Sequence, residues 1–211
     1  MLYRFVWILL RGLFGLLLRF RIFHAERVPA TGAVILASNH ISTLDPPVVG
    51  VAVWRPGAFM AKEELFRNPL AAAFIRGIRA FPVRRGASDR GALKFSLEVL
   101  KRGEMLVMFP EGTRSATGEL QGGETGVGFI AYRSGAPVVP VYIHGTDRVL
   151  PRKGRPRLAP ISVTFGEPRV YAAPEGIRPG REEYERCVEE IMADIARLRD
   201  AHPDRRSPDR P

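Results

Sequence analysis

Short apolar segments alternate with helix-forming segments along most of this chain, and this alternation limits the fold more than any other feature. Strands that alternate with helices are typical of α/β folds, in which helices cover the faces of a largely parallel sheet. We therefore predict one α/β domain with a partly parallel sheet flanked by helices. The predicted strands are residues 33–38, 80–83, 104–110, 137–145 and 161–168, and the predicted helices are 46–54, 68–78, 88–103 and 126–135.

Three details refine this prediction. Pro140 lies inside the strand 137–145 and lacks an N–H group, which predicts an edge strand or a bend. Residues 161–168 alternate in a way that predicts a strand with one exposed face. Apolar residues at helical spacing predict an amphipathic closing helix, namely Tyr184, Val188, Ile191, Ile195 and Leu198.

The first 22 residues are the most hydrophobic stretch of the chain. On a helix, Arg4, Arg11 and Arg19 fall within about 80° of one another, and a broad Leu, Phe and Trp face lies beside them. One basic stripe and one apolar face are typical of a helix that lies in a membrane interface. The alternatives are a short membrane span, a signal peptide, and a helix packed on the protein's own core. We expect residues 1–22 to form an amphipathic membrane-associating helix.

Composition suggests the remaining boundaries and the kind of partner. Residues 23–201 contain the predicted elements, whereas 202–211 are rich in Pro and Arg and are expected to form a disordered tail. The chain has 32 Lys and Arg against 22 Asp and Glu, a net charge of +10. This excess favours an anionic partner: nucleic acid, an anionic membrane surface or a phosphorylated substrate. The single cysteine, Cys187, excludes an internal disulfide and a cysteine-rich metal cluster.

A histidine and an aspartate stand five residues apart in the stretch NHISTLDP, just after the first predicted strand. A carboxylate that holds one ring nitrogen of a histidine orients it as a base and stabilises the imidazolium. His40 and Asp45 can therefore form a catalytic pair. The alternative is structural, because Asp45 followed by Pro46 is also a good helix start.

Two further polar stretches follow predicted strands. FPVRRG at 81–86 places Arg84 and Arg85 at a strand end, where arginines can bind phosphate or simply form a solvated basic face. FPEGTRS at 109–115 places Glu111 and Arg114 on one tight loop. These two side chains can contact a hydroxyl and a phosphate, or can form an ordinary surface ion pair on a turn.

Four stretches together resemble the glycerolipid acyltransferase family, whose nearest members are the 1-acyl-glycerol-3-phosphate acyltransferases. These stretches are NHISTLDP, FPVRRG, FPEGTRS and VVPVYI, in this order. The resemblance covers roughly residues 32 to 168, and the first and third stretches are highly specific together.

The resemblance implies a role for each of these stretches. His40 resembles the general base that takes the proton from the glycerol hydroxyl, and Asp45 the carboxylate that holds it. The alkoxide then attacks an acyl thioester directly, so no acyl-enzyme forms. The residues implied on the substrate side are Arg84, Arg85, Glu111, Gly112, Thr113, Arg114 and Lys62, with Val139 and Pro140 on the acyl-donor side.

Two positions depart from the family pattern. Arg84 stands where the family usually has an acidic or amide residue, and Glu124 stands where it usually has a lysine. These two charges are opposite in sign, so we expect them to pair. Because of these two departures, another lysophospholipid or lysolipid is the alternative acceptor.

The resemblance implies an enzyme that acylates 1-acyl-glycerol-3-phosphate from acyl-CoA or acyl carrier protein. We expect it at the cytoplasmic face of the membrane, as a peripheral or monotopic protein on an anionic surface. We expect no cofactor, no metal and no nucleic acid partner. A non-enzymatic basic module that binds membrane or nucleic acid is the alternative of a different class.

Overall fold

A computed structural model describes residues 2–77, 79–83, 90–173, 176 and 178–203 of this 211-residue chain. The helices are α1 (Leu2–Leu18), α2 (Asp45–Ala52), α3 (Pro69–Gly77), α4 (Arg90–Lys101), α5 (Thr125–Ser134), α6 (Thr146–Val149) and α7 (Arg181–Ala201). The strands are β1 (Arg21–Phe23), β2 (Val34–Ser38), β3 (Gly57–Lys62), β4 (Ala80–Val83), β5 (Met105–Met108), β6 (Val138–His144) and β7 (Ser162–Phe165). Short 3-10 helices occupy Ala25–Arg27 and Glu63–Phe66.

The strands form one sheet in the order β1-β7-β6-β2-β5-β3-β4. Neighbouring strands are parallel except β6 and β7, which are antiparallel. The predicted partly parallel α/β sheet is therefore confirmed. The sequence patterns do not predict β1, whose first two residues belong to the stretch assigned to the first helix, or β3, which shows no alternation.

Helices cover both faces of the sheet, and the sheet divides the core into two parts. On one face, α1 and α2 pack over a buried cluster that includes Phe14 and Val48. On the other face, α4, α5 and α7 pack over a second cluster that includes Val99, Ile130 and Ile191. Because most strands are buried on both faces, their sequences are continuous apolar runs instead of alternating patterns.

The predicted edge position of Pro140 is wrong, because β6 lies between β2 and β7 inside the sheet. The Pro140 carbonyl accepts the N–H of Gly166 at 2.8 Å. Proline has no N–H for a reciprocal bond, and the regular β6–β7 pairing starts at the next residue, Val141. The β6–β7 pairing therefore lacks one backbone hydrogen bond at its end.

The predicted exposed face of β7 is also wrong. Val163 and Phe165 are fully buried on the α1 and α2 side. On the other side the hydroxyl of the buried Ser162 lies 2.8 Å from Nε2 of His202, and His202 is itself buried. His202, the first residue of the predicted tail, thus packs on the sheet. Residues 204–211 lie outside the described part of the chain.

Helix α1 is attached to the α/β domain by specific contacts to α2. The Trp7 indole N–H donates to the carbonyls of Gly50 at 3.1 Å and Val53 at 2.8 Å. The Arg11 guanidinium donates to the carbonyl of Val51 at 2.6 Å, at the carboxyl end of α2, where a cation is favourable. Arg11 is therefore half-buried and does not belong to an exposed basic stripe. Arg4, by contrast, is exposed. These contacts fit the alternative in which the first helix packs on the protein's own core.

The boundary predicted at residue 22 falls inside β1, so it does not separate two structural units. β1 pairs with β7, and α1 contributes Trp7, Phe14 and Leu18 to the same buried cluster as α2. The opposite face of α1 is apolar and exposed, through Phe5, Ile8, Leu9, Leu13, Leu16 and Leu17. Within the described residues, no helix combines the length and the apolar content that crossing a bilayer requires.

We expect Phe14→Ala to reduce the free energy of unfolding by about 3–5 kcal/mol, because it leaves a cavity between α1 and the sheet. Phe14 is 6% exposed, whereas Leu16, two residues along the same helix, is 81% exposed. The matched variant Leu16→Ala is expected to change stability by less than about 0.5 kcal/mol. Urea unfolding of both variants checks this, and equal small effects would contradict the docking of α1.

Candidate active site

A buried asparagine holds together the carboxyl ends of β2 and β6. The Asn39 side chain donates to the carbonyl of Ile143 at 3.0 Å and accepts the N–H of the same residue at 2.7 Å. These two bonds fix the backbone where β2 ends and the following loop begins. In a parallel sheet this edge is where loops from several strands meet, so the next residue, His40, is placed among them.

His40 and Asp45 form a hydrogen-bonded pair on this loop. His40 Nδ1 lies 2.8 Å from Asp45 Oδ2, and both side chains are buried. The same Oδ2 accepts the N–H groups of Ile41 and Ser42, each at 2.7 Å. Asp45 is the first residue of α2, and its carboxylate binds the preceding loop, so it does not act as a capping residue. With Nδ1 held by Asp45, Nε2 is the ring nitrogen able to accept a proton.

Thr146 binds the second oxygen of the same carboxylate. Its Oγ1 donates to Asp45 Oδ1 at 2.5 Å, and Thr146 is fully buried at the start of α6. Asp45 therefore has donors on both oxygens, which compensates for burying its charge. The sequence gives no signal for Thr146, because it is 101 positions from Asp45 and a lone threonine after a strand is not distinctive.

Glu111 braces the backbone of His40. Its Oε1 accepts the N–H of His40 at 2.9 Å, and its Oε2 accepts the N–H of Gln121 at 3.3 Å. Burial raises the pKa of the Glu111 carboxyl, the nearby Asp45 charge adds to this, and the two N–H donors oppose it. Glu111 therefore links the loop after β5 to the loop after β2.

Two more contacts fix the histidine ring and its backbone. The Phe109 ring stacks on the His40 ring with a centroid distance of 4.1 Å. The N–H of Ser115 donates to the carbonyl of His40 at 2.8 Å. Phe109 and Ser115 are the first and last residues of the FPEGTRS stretch, so this loop wraps His40 from two sides.

A cavity of about 630 Å³ opens beside His40 between α1, α2, α3 and the strands β3 and β4. Most of its lining is apolar, and His40 and Arg114 are its two members that can carry positive charge. The apolar wall includes Trp7, Leu10, Phe14, Pro47, Phe59 and Ile75. An apolar chain with a polar or anionic end is thus the kind of molecule that fits this cavity.

The other predicted residues of the FPEGTRS loop lie next to His40. Gly112 has a φ of 65°, a left-handed conformation that suits glycine, and the Glu124 carboxylate lies against its Cα. Thr113 is exposed on the same loop, and Arg114 is half-buried at the cavity. Glu124 is an exposed residue that precedes α5, and its N–H donates to the carbonyl of Pro110 at 2.8 Å.

Two of the remaining predicted residues do not join the His40 cluster. Val139 and Pro140 are buried inside the sheet, opposite Leu36 and Ala37 of β2, and do not line the cavity. Lys62 ends β3, where its backbone pairs with β4, and its side chain lies outside the described part. Arg84 and Arg85 lie outside the described residues, so the predicted pairing of Arg84 with Glu124 stays a prediction.

Comparison with known proteins gives the same family. The Acyltransferase family model matches residues 19–144. A 1-acyl-sn-glycerol-3-phosphate acyltransferase of Bacillus subtilis is 30% identical over 181 residues, which are 84% of this chain and 87% of that protein. Another from Pseudomonas aeruginosa is 30% identical over 204 residues, 89% of this chain and 75% of that protein.

A solved structure matches this fold. The crystal structure of the 1-acyl-sn-glycerophosphate acyltransferase PlsC from Thermotoga maritima superposes with a TM-score of 0.75 at 29% identity. The match covers 95% of this chain and 80% of that chain. The family resemblance of the four sequence stretches is therefore confirmed.

We expect Thr146→Val to lower the free energy of unfolding by about 1–3 kcal/mol, because it leaves a buried carboxylate oxygen without its donor. Thr146→Ser keeps the hydroxyl and removes only a methyl group, so it serves as the matched control and should be clearly less destabilised. Urea unfolding of both variants measures the difference. Equal losses in the two variants would show that the hydroxyl contributes nothing through Asp45.

Glu111 is expected to make stability depend on pH. Because its pKa is raised in the folded state, the folded protein binds this proton more tightly than the unfolded chain. The free energy of unfolding therefore falls as the pH rises from the ordinary glutamate pKa through the raised one. Glu111→Gln does not titrate, so the wild-type stability relative to this variant should decline across that window. Urea unfolding at several pH values checks this, and a constant difference would contradict it.

Proposed function

The chain belongs to the Acyltransferase family, and from that premise we propose that it acylates the free hydroxyl of 1-acyl-glycerol-3-phosphate to give phosphatidate. The acyl group comes from an acyl thioester, either acyl-CoA or acyl carrier protein. The observation that carries this proposal is the His40–Asp45 pair at the mouth of an apolar cavity that also contains Arg114. The names of the Bacillus and Pseudomonas relatives support the choice of acceptor.

In the proposed reaction His40 acts as the general base. Nε2 takes the proton from the acceptor hydroxyl, and Asp45 stabilises the imidazolium. The acceptor oxygen attacks the thioester carbonyl, a new C–O bond forms and the C–S bond breaks. His40 then returns its proton to the departing thiolate, so the enzyme ends as it began and no cofactor takes part.

Direct attack requires no nucleophile from the protein. The Ser42 hydroxyl, two residues from His40, donates to the carbonyl of Leu150 at 3.2 Å and so holds a loop in place. Cys187 is a buried residue of α7, and burial raises the pKa of its thiol to about 12, which disfavours the reactive thiolate. Both observations fit a mechanism without an acyl-enzyme.

The cavity accommodates the substrate in this proposal. Its apolar wall suits an acyl chain, and Arg114 suits the phosphate of the acceptor, because guanidinium groups bind phosphate with two parallel hydrogen bonds. Arg84, Arg85, Thr113, Gly112 and Lys62 are proposed to complete the acceptor site. Val139 and Pro140 are proposed to act on the donor side only through the position of β6.

We also propose that the protein works on an anionic membrane surface, as a peripheral or monotopic protein at the cytoplasmic face. The exposed apolar face of α1 supports this, because such a face is suited to the boundary between headgroups and acyl chains. Lysophospholipids reside at that boundary. The helix that carries this face also lines the cavity through Trp7, Leu10 and Phe14.

A second acceptor is supported by one observation. Glu124 places a carboxylate against Gly112, inside the loop that carries Arg114. A negative charge near a phosphate site disfavours a bare phosphate and favours a headgroup that also carries a cation. The second candidate is therefore the same chemistry on an amine-containing lysolipid.

We expect His40→Ala to reduce acyl transfer to lysophosphatidate by about 10² to 10⁴, because it removes the general base. Asp45→Asn should also lose most activity. His24→Asn changes an exposed histidine outside the cavity and should keep wild-type turnover. A panel of lysolipids with labelled acyl thioester, assayed on purified folded proteins, measures this. Transfer by His40→Ala within about tenfold of wild type would exclude His40 as the base.

A further inference from the structure

The end of α6 and the segment that follows it concentrate positive charge. Residues 148–157, here called the basic loop, contain five cations, and no acidic residue occurs from position 148 to position 166. The net charge of the whole chain is +10, so this loop holds a large share of the excess. Its cationic residues are Arg148, Arg152, Lys153, Arg155 and Arg157.

These five side chains are exposed, and none forms a salt bridge with an acidic side chain among the described residues. Some other arginines are paired with acidic side chains. Arg27 pairs with Glu167, Arg169 with Asp194, and Arg181 with Glu185. The basic loop is therefore a positive surface without internal compensation, which attracts an external anion.

The basic loop begins beside the His40–Asp45 pair. Thr146, two residues before it, binds Asp45, and the carbonyl of Leu150 accepts the Ser42 hydroxyl. The N–H of Arg157 donates to the carbonyl of Val149 at 2.9 Å, so the two ends of the loop meet at this point. The cations thus lie on a closed loop whose base contacts the loop that carries His40 and Asp45.

Chain geometry limits how far the cations lie from the Leu150 carbonyl, which contacts the loop carrying His40 and Asp45. Arg152 follows Leu150 by two residues, so their Cα atoms are at most about 7 Å apart. The phosphopantetheine arm of coenzyme A joins the thioester sulfur to the diphosphate over a distance greater than that. An arm of this length is long enough to connect a thioester held at His40 with phosphates bound at the basic loop.

The arrangement of the loop favours a compact polyanion over an extended one. Pro151 and Pro156 restrict its backbone, and the closing bond between Arg157 and Val149 keeps the charges in one small region. A preorganised cluster of arginines suits several phosphates on one small molecule, since each guanidinium binds phosphate through paired N–H groups. The diphosphate and 3′-phosphate of coenzyme A have this form.

We propose that the basic loop binds the phosphates of the coenzyme A part of an acyl-CoA donor. This inference rests on the proposed function, and it selects acyl-CoA over acyl carrier protein as the donor. It also separates two anion sites: the acceptor phosphate lies at Arg114 beside the cavity, and the donor phosphates lie at the loop.

The test uses the double variant Arg152→Gln/Arg155→Gln of the full chain. The dissociation constant for coenzyme A, measured by calorimetry without acceptor, is expected to rise about ten- to a hundredfold, because two charge-assisted contacts are lost. The KM for acyl-CoA should rise similarly while kcat stays near wild type. Dephospho-coenzyme A should bind wild type more weakly than coenzyme A and lose less affinity in the variant.

A matched control is Arg133→Gln/Arg186→Gln, which removes two exposed arginines from α5 and α7 on the opposite face of the sheet. It changes the net charge equally and should leave coenzyme A binding unchanged. Circular dichroism and urea unfolding establish that both double variants are folded. The single variants Arg152→Gln and Arg155→Gln, each expected to weaken binding by a smaller factor, replace the double variant if it does not fold.

Three outcomes would overturn the proposal. Equal coenzyme A affinity in the loop variant and wild type is the first. The second is a raised KM for acylated carrier protein without a raised KM for acyl-CoA, which makes the loop a protein-docking surface. The third is loss of binding to anionic vesicles with unchanged coenzyme A affinity, which makes the loop a membrane contact. If wild type binds coenzyme A but acylates no lysolipid, the proposed function fails while the loop assignment stands.

Discussion

The hydrogen bonds to the buried carboxylate of Asp45 hold together the candidate active site at the carboxyl ends of the strands. An unpaired buried charge is costly, so the structure must supply donors to both of its oxygens. It does so from the loop after β2, through Ile41, Ser42 and His40, and from the start of α6, through Thr146. Because these donors come from separate parts of the chain, satisfying this one charge fixes the relative position of β2, α2 and β6.

Sheet topology explains why so few side chains suffice to build the site. β2, β5 and β6 are adjacent and parallel, so their carboxyl ends meet at one edge. β2 leads to His40, β5 leads to Glu111, and β6 leads to Thr146. Glu111 binds the backbone of His40 and Thr146 binds its partner Asp45, so each neighbouring strand supports one half of the His40–Asp45 pair.

Sequence patterns predict those features of the structure that depend on residues close together in the chain. The buried runs of β2, β5 and β6 and the helical spacing in α7 are visible in the sequence, and so is the five-residue spacing of His40 and Asp45. Contacts between distant positions are not visible. Thr146 reaches Asp45 across 101 positions, and Arg11 reaches the end of α2 across 40. The sequence also gives no sign of β1. Its half-buried residues Ile22 and Phe23 are apolar, and so are the exposed residues of α1 just before them.

The two faces of α1 connect these observations. Its inner face contributes Trp7 and Phe14 to both the core and the cavity wall, while its outer face carries the exposed leucines. A helix with its side chains is about 10 Å across, so whatever covers the outer face lies roughly one helix width from the cavity. An acceptor that is itself a lipid therefore needs to move only a short distance to reach His40. The same helix contributes to the core and to the cavity wall, so it packs as part of the α/β domain.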